Sequence, residues 1–140
     1  MIDSGLDTAY RATTYQLTVG GQQVSVRVGE AAPELAAALA TLGVSRWAFI
    51  TAWNPYSELL STPENSRLNA QLFQALLGRQ YAPAIAIPDD NSWPREPGFI
   101  LFDFALTELL SLAEKFQQNA LVVGQGGDLP ELLWVTGADD

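Results

Sequence analysis

The sequence predicts a mixed α/β (α+β) domain built on a split β-α-β-β-α-β, ferredoxin-like core, with an N-terminal β-hairpin plus helix before it and an extra C-terminal strand after it. Three observations carry this prediction. Apolar residues alternate on both sides of Gly20-Gly21, an almost wholly apolar run at Trp47–Trp53 leads into a capped helix, and a second strand pair leads into a helix of 3.6-residue periodicity. A length of 140 residues fits one domain, 1–140, with 1–12 and 137–140 read as loose tails.

Tyr15, Leu17 and Val19 alternate with polar residues before the glycine pair, and Val24, Val26 and Val28 alternate after it. A two-residue loop at Gly20-Gly21 sets Val19 opposite Gln22, Leu17 opposite Val24 and Tyr15 opposite Val26, with the apolar residues on one face. Pro33–Leu42 carries Leu35, Leu39 and Leu42 at helical spacing, and Gly43 supplies the stop. Trp47–Trp53 is almost wholly apolar, as a strand covered on both faces would be, and Asn54-Pro55 ends it.

Ser61-Thr62-Pro63-Glu64 is a capping box with proline in the first turn, where no intrahelical bond is lost. Leu68, Leu72, Phe73, Leu76 and Leu77 form the apolar arc of the helix it opens, and Gly78 closes it. Strands follow at about 82–87 and 99–104, around a polar, proline-rich loop at 88–98. Leu106, Leu109, Leu110, Ala113 and Phe116 define the next helix. Ala120–Val123 and Glu131–Val135 form a last strand pair around a turn at Gly124–Asp128.

Composition narrows the chemistry. The chain has no cysteine and no histidine, which removes disulfides, thiolate nucleophiles, the commonest general base and the cysteine and histidine metal ligands. Only oxygen ligands remain, and no carboxylate spacing suggests a tight site, so neither metal nor cofactor is expected. A formal charge of −9 with scattered arginines argues against nucleic acid and anionic membranes as partners. No apolar run is long enough to span a bilayer and the N-terminus lacks a signal-peptide pattern, so a cytoplasmic location is the expectation. Gly124–Gly127 lacks the Lys-Ser/Thr and following helix of a phosphate loop and reads as a hairpin turn.

The candidate site residues come from the helical wheel and the proline-rich loop. Asn65 and Asn69 fall inside the apolar arc of the capped helix, so polar partners must face them, with Asn54 and Ser57 nearest in sequence. These amides either tie down the 54–61 connection or line a polar pocket at the sheet edge, bounded by the helix N-terminus. Trp93, Arg95 and Glu96 sit between prolines as an aromatic, a cation and an acid; the loop is either a stiff connection or a preorganised recognition element.

Phe49–Ser57, followed by Leu60-Ser61, Glu64-Asn65, Asn69, Trp93-Pro94, Glu96-Pro97 and Phe116 with Gln118-Asn119-Ala120, resembles the bacterial domain of unknown function family DUF3293 over roughly Tyr10 to Val135. The resemblance implies a bacterial domain without an assigned activity, and it groups Gln118 and Asn119 with the residues above as one feature. Leu68 stands where the family carries arginine and Gly98 where serine is common, which implies the loss of two polar groups near the site.

The expected function is a small-molecule or protein-binding module acting through Asn54, Ser57, Asn65, Asn69, Trp93, Arg95, Glu96, Gln118 and Asn119. The alternatives are a metal-free hydrolase or lyase using Glu64 or Glu96 as general acid/base, and a subunit-interface domain in a homo-oligomer.

Overall fold

A computed structural model describes residues 4–91 and 93–135. In chain order the elements are α1 (Ser4–Arg11), β1 (Thr13–Val19), β2 (Gln22–Val26), α2 (Pro33–Leu42), β3 (Arg46–Ile50), a 3-10 turn (Pro55–Ser57), α3 (Thr62–Ala75), β4 (Tyr81–Pro88), β5 (Glu96–Phe102), α4 (Leu106–Lys115), β6 (Ala120–Gln125) and β7 (Glu131–Trp134).

The strands form a single antiparallel sheet in the order β2-β1-β4-β5-β3-β6-β7. It is larger than the four-stranded core with additions that the sequence suggests, because the hairpin and β7 extend the same sheet at opposite edges. The hairpin register is the one set by the glycine pair, with Tyr15 opposite Val26 and Val19 opposite Gln22. The sheet curls until its two ends meet: the Gly29 amide after β2 donates to the Pro130 carbonyl before β7 at 2.8 Å, and Tyr10 meets Trp134 edge-on at 5.8 Å.

Alternation along β3 separates two cores. Trp47 and Phe49 join the hairpin valines, Leu35 and Leu39 of α2 and Ile100 on the concave face. Ala48, Ile50 and Ala52 face α3 and α4, where Leu72, Leu76, Leu109 and Ala113 pack. Burial of each such leucine contributes about 2 kcal/mol, and truncation of Leu72, which is fully buried, to alanine would cost about 2–5 kcal/mol.

Several boundaries and faces differ from the sequence reading. Residues 4–11, placed in a loose tail, form α1; residues 1–3 and 137–140 lie outside the described residues. Strand β3 stops at Ile50 rather than Trp53, because the next backbone donors turn to side chains: the Ala52 amide to Asn69 Oδ1 and the Trp53 amide to Thr51 Oγ1. Strand β5 begins at Glu96 rather than Phe99, so the loop before it is shorter. Phe73 and Leu77 are exposed rather than inside the arc of α3, whose buried residues are Asn65 and Leu72. The asparagines rotate the helix toward their partners. Leu106 is also exposed, since the buried stripe of α4 starts one turn later at Leu109.

Candidate functional site

The connection after β3 is an unusual piece of backbone. Asn54, Tyr56 and Ser57 all have positive φ, at 49°, 53° and 61°. Left-handed conformations cost non-glycine residues on the order of 1 kcal/mol or more each and persist only where surroundings enforce them. Here the surroundings are the 116–119 turn and the start of α3. The Tyr56 amide donates to the Gln117 carbonyl at 2.6 Å, Gln118 Nε2 donates to the Trp53 carbonyl at 3.2 Å, and Asn119 Nδ2 donates to Ser57 Oγ at 2.9 Å.

From the other side, Asn65 Oδ1 accepts from the Asn54 amide and Asn65 Nδ2 donates to Asn54 Oδ1, both at 2.8 Å. The Leu60 amide also donates to Asn54 Oδ1, at 2.9 Å. A backbone N–H can only donate, so the oxygen of each asparagine is assigned by its partner and Asn54 must present its amide nitrogen onward. That nitrogen donates to Glu96 Oε2 at 2.8 Å. The Trp93 indole N–H donates to the same oxygen, also at 2.8 Å.

Glu96 therefore receives two neutral donors on one oxygen. Burial pushes its carboxyl above the ordinary 4.5, and the hydrogen bonds from Asn54 and Trp93 return part of that shift. With Oε2 committed to accepting, any proton the carboxyl carries sits on Oε1.

The carboxyl lies at the wall of a cavity of about 460 Å³ on the concave side of the sheet. Phe49, Tyr15, Ala86 and Val122 from the sheet, Tyr10 and Ala9 from α1, and Trp53, Asn54, Ser57, Trp93 and Gln118 from the loops line it. Tyr10 and Tyr15 stay neutral: burial raises both hydroxyls, and the nearby Glu96 raises them further. At the rim, Arg27 forks onto Asp89 at 2.8 and 2.9 Å. A second cavity of about 450 Å³, lined by Arg46, Trp47, Phe104 and Leu129 among others, contains none of the expected site residues.

Of the nine residues singled out from sequence, Asn54, Ser57, Trp93, Glu96 and Gln118 line this cavity. Asn65 and Asn119 stand behind it and hold Asn54 and Ser57, while Asn69 binds Ala52 rather than the 54–61 segment. Arg95 is exposed and outside the lining, and so is the N-terminus of α3: Glu64 is exposed there and serves the cap through Ser61. Tyr10, Thr13, Tyr15, Phe49, Thr51 and Trp53 are lining residues that sequence reasoning missed. The even spacing of Tyr15 and the hairpin valines places Tyr15 on a buried face, but nothing in the sequence sets that face opposite residues 93–96.

Glycine at position 98 has a steric reason. A Cβ at Gly98 would lie 2.3 Å from the Ile50 carbonyl oxygen and 3.0 Å from Thr51 Cβ, so this packing admits only glycine. Leu68 packs partly buried on the core between the sheet and α3. Among the described residues no group of three or more acidic side chains is arranged to hold a metal ion, and no helix is long and apolar enough to cross a membrane.

Fold and site together define an α/β protein with a curled seven-stranded sheet and a carboxyl-bearing cavity on its concave side. The chain belongs to the family described as Protein of unknown function (DUF3293), whose model matches residues 50–121. That segment holds the Asn54 turn, α3, Glu96 and Gln118, and it is shorter than the span read from sequence; α1 and the hairpin lie before it. Comparison with curated proteins and with solved structures gives no match.

Proposed function

We propose that this protein binds a small, mainly apolar molecule in the concave-face cavity, with Glu96 fixing its polar end. The observation that carries the reading is the partly buried Glu96 carboxyl, fixed by Asn54 and Trp93 at the wall of a cavity of about 460 Å³. Ligand sites have this character: largely apolar walls, few polar groups, and those few held by their own partners. In finer detail, we read the stretch β4-β5-β3-β6 with α3 and α4 as the ferredoxin-like core, supported by its strand order and by both helices packing on one face. A bacterial, cytoplasmic setting belongs to the same proposal, supported by an acidic composition without cysteine.

The test is neutral and blind to charge: titrate indole and follow the amide NMR spectrum. Shifts centred on Phe49, Ala86, Trp93 and Glu96, abolished when Ala86→Leu fills the floor, support the reading. Shifts centred on Arg46 and Leu129, or none, refute it.

A second reading, acid–base catalysis, is favoured by one feature only: a carboxyl whose pKa is raised by burial and whose proton would sit on Oε1, to which none of the described residues donates. It retains Glu96 alone, because Glu64 is held in the cap of α3 and Arg95 lies outside the lining.

A further inference from the structure

We infer that the ligand of this cavity is an organic cation, an aliphatic or aromatic ammonium whose N–H group meets Glu96 and whose apolar part lies among aromatic rings; this rests on the cavity being the binding site. Three independent features converge on the class.

The first is the sign of the charge. Asp89, Asp90 and Glu96 are lining residues, and no lysine or arginine is among the described lining residues. Arg27 offsets Asp89 from outside the lining and Asp90 is exposed, so the partly buried acid of the wall is Glu96. An anionic ligand would meet a carboxylate with no cation on the wall, in a site where burial strengthens repulsion.

The second is the wall itself. Tyr10, Tyr15, Phe49, Trp53 and Trp93 all line the cavity. Aromatic faces attract ammonium groups through their quadrupole, and the attraction grows as water is excluded. The rings would accept any apolar molecule, but only a cation gains from both them and the acid.

The third is the unused oxygen. Both donors on Glu96 converge on Oε2, and among the described residues none donates to Oε1. The amide orientations are fixed by backbone donors, so Asn54 cannot turn to present an acceptor to a ligand instead. A carboxylate with one oxygen anchored and the other open is arranged to accept a hydrogen bond from an incoming N–H.

The experiment uses three molecules of one shape: 2-phenylethylamine, 2-phenylethanol and 3-phenylpropionate, which end in ammonium, hydroxyl and carboxylate. Calorimetric titration at neutral pH should rank the amine first, with roughly tenfold or better affinity than the alcohol, and give no binding for the carboxylate. Glu96→Gln should bring the amine down to the alcohol's affinity while leaving the alcohol unchanged. Circular dichroism confirms that this variant folds; if it does not, the wild type decides, since the trimethylammonium analogue of the amine, which has no N–H to donate to Oε1, should bind at least several-fold more weakly than the amine, and equal binding of the two would overturn the inference. Equal affinities for amine and alcohol, or an amine affinity indifferent to Glu96→Gln, would overturn the cation inference while leaving the cavity reading intact. If none of the three binds and indole does not either, the cavity reading falls and takes the inference with it.

Discussion

Asn65 and Asn54 grip each other twice, side chain to backbone and side chain to side chain, each at 2.8 Å, with Asn65 on the buried face of α3 and Asn54 in a left-handed turn. The pair converts the position of a helix into the orientation of one amide nitrogen, which then holds Glu96. A helix and a carboxyl at the cavity wall are thereby linked through two residues.

Removing the Asn65 side chain should therefore loosen the turn as well as the core. Asn65→Ala strands the buried Asn54 amide, and an orphaned donor of that kind costs about 1–3 kcal/mol on top of the lost packing. The expected total is roughly 2–4 kcal/mol in urea melts. Asn65→Asp should do little better, because a second carboxylate oxygen would face Asn54 Oδ1 where a donor is needed. Recovery of wild-type stability by aspartate would show that the side-chain bond between the two asparagines contributes nothing.

Trp93 is half-buried, and its indole N–H is bonded to Glu96. Trp93→Ala should cost about 1–2 kcal/mol, well below the 3–5 kcal/mol expected for a tryptophan in a core. Trp93→Phe keeps most of the ring and deletes the donor, so the Glu96 carboxyl, already raised by burial, should titrate higher still. Carbon NMR of the Glu96 side chain through a pH titration reads the second effect directly. A titration midpoint unmoved by Trp93→Phe would mean that the bond does not persist in solution.

Where the pattern in the sequence was local, it matched the structure closely. The hairpin register follows from two glycines flanked by alternating valines, and the capping box at Ser61 forms with both of its bonds. The inward turn of Asn65 was legible because a polar residue inside an apolar arc demands partners. Failures came where a non-local contact decided the outcome. The segment 4–11 has no long apolar stripe, yet it forms a helix where Tyr10 packs against the concave core and Trp134, which is 124 positions away. Gly5, Leu6, Thr8, Ala9 and Tyr10 of the cavity lining therefore come from a segment whose role no local pattern announces. Arg95 looked functional from its neighbours Trp93 and Glu96, but it lies before β5 in an irregular loop with its side chain exposed and outside the lining, which adjacency in sequence does not decide.

Gly98 gives a steric prediction. With the Ile50 carbonyl 2.3 Å from the place of its Cβ, Gly98→Ala or Gly98→Ser must push β3 and β5 apart beside Thr51. Overpacking of this kind costs about 1–3 kcal/mol, and more when backbone rather than side chain must yield. Both variants should melt earlier in urea by at least that amount, with serine no better than alanine because its hydroxyl does not relieve the clash. A neutral Gly98→Ser would show that the two strands can separate freely here, and the restriction to glycine would be withdrawn.

The pH dependence of stability follows from the sign of the Glu96 shift. Its folded pKa lies above the ordinary 4.5 because burial disfavours the charged form more than Asn54 and Trp93 favour it. Between 4.5 and the raised value, the folded protein keeps a proton that the unfolded chain has released. Stability from this group is therefore fully present below 4.5, falls as pH rises through that window, and levels off above it. Glutamine is neutral throughout and its amide oxygen can accept the same two donors. Glu96→Gln should accordingly match wild type in acid and exceed it at neutral pH, the difference opening within the window. Urea midpoints of the two proteins from about pH 4 to about pH 8 measure that difference, and subtracting the curves removes the common titration of the other acids. A variant less stable than wild type at neutral pH would mean that the ionised carboxylate is a net contributor to the fold, and the carboxyl would then be structural rather than held ready for a ligand.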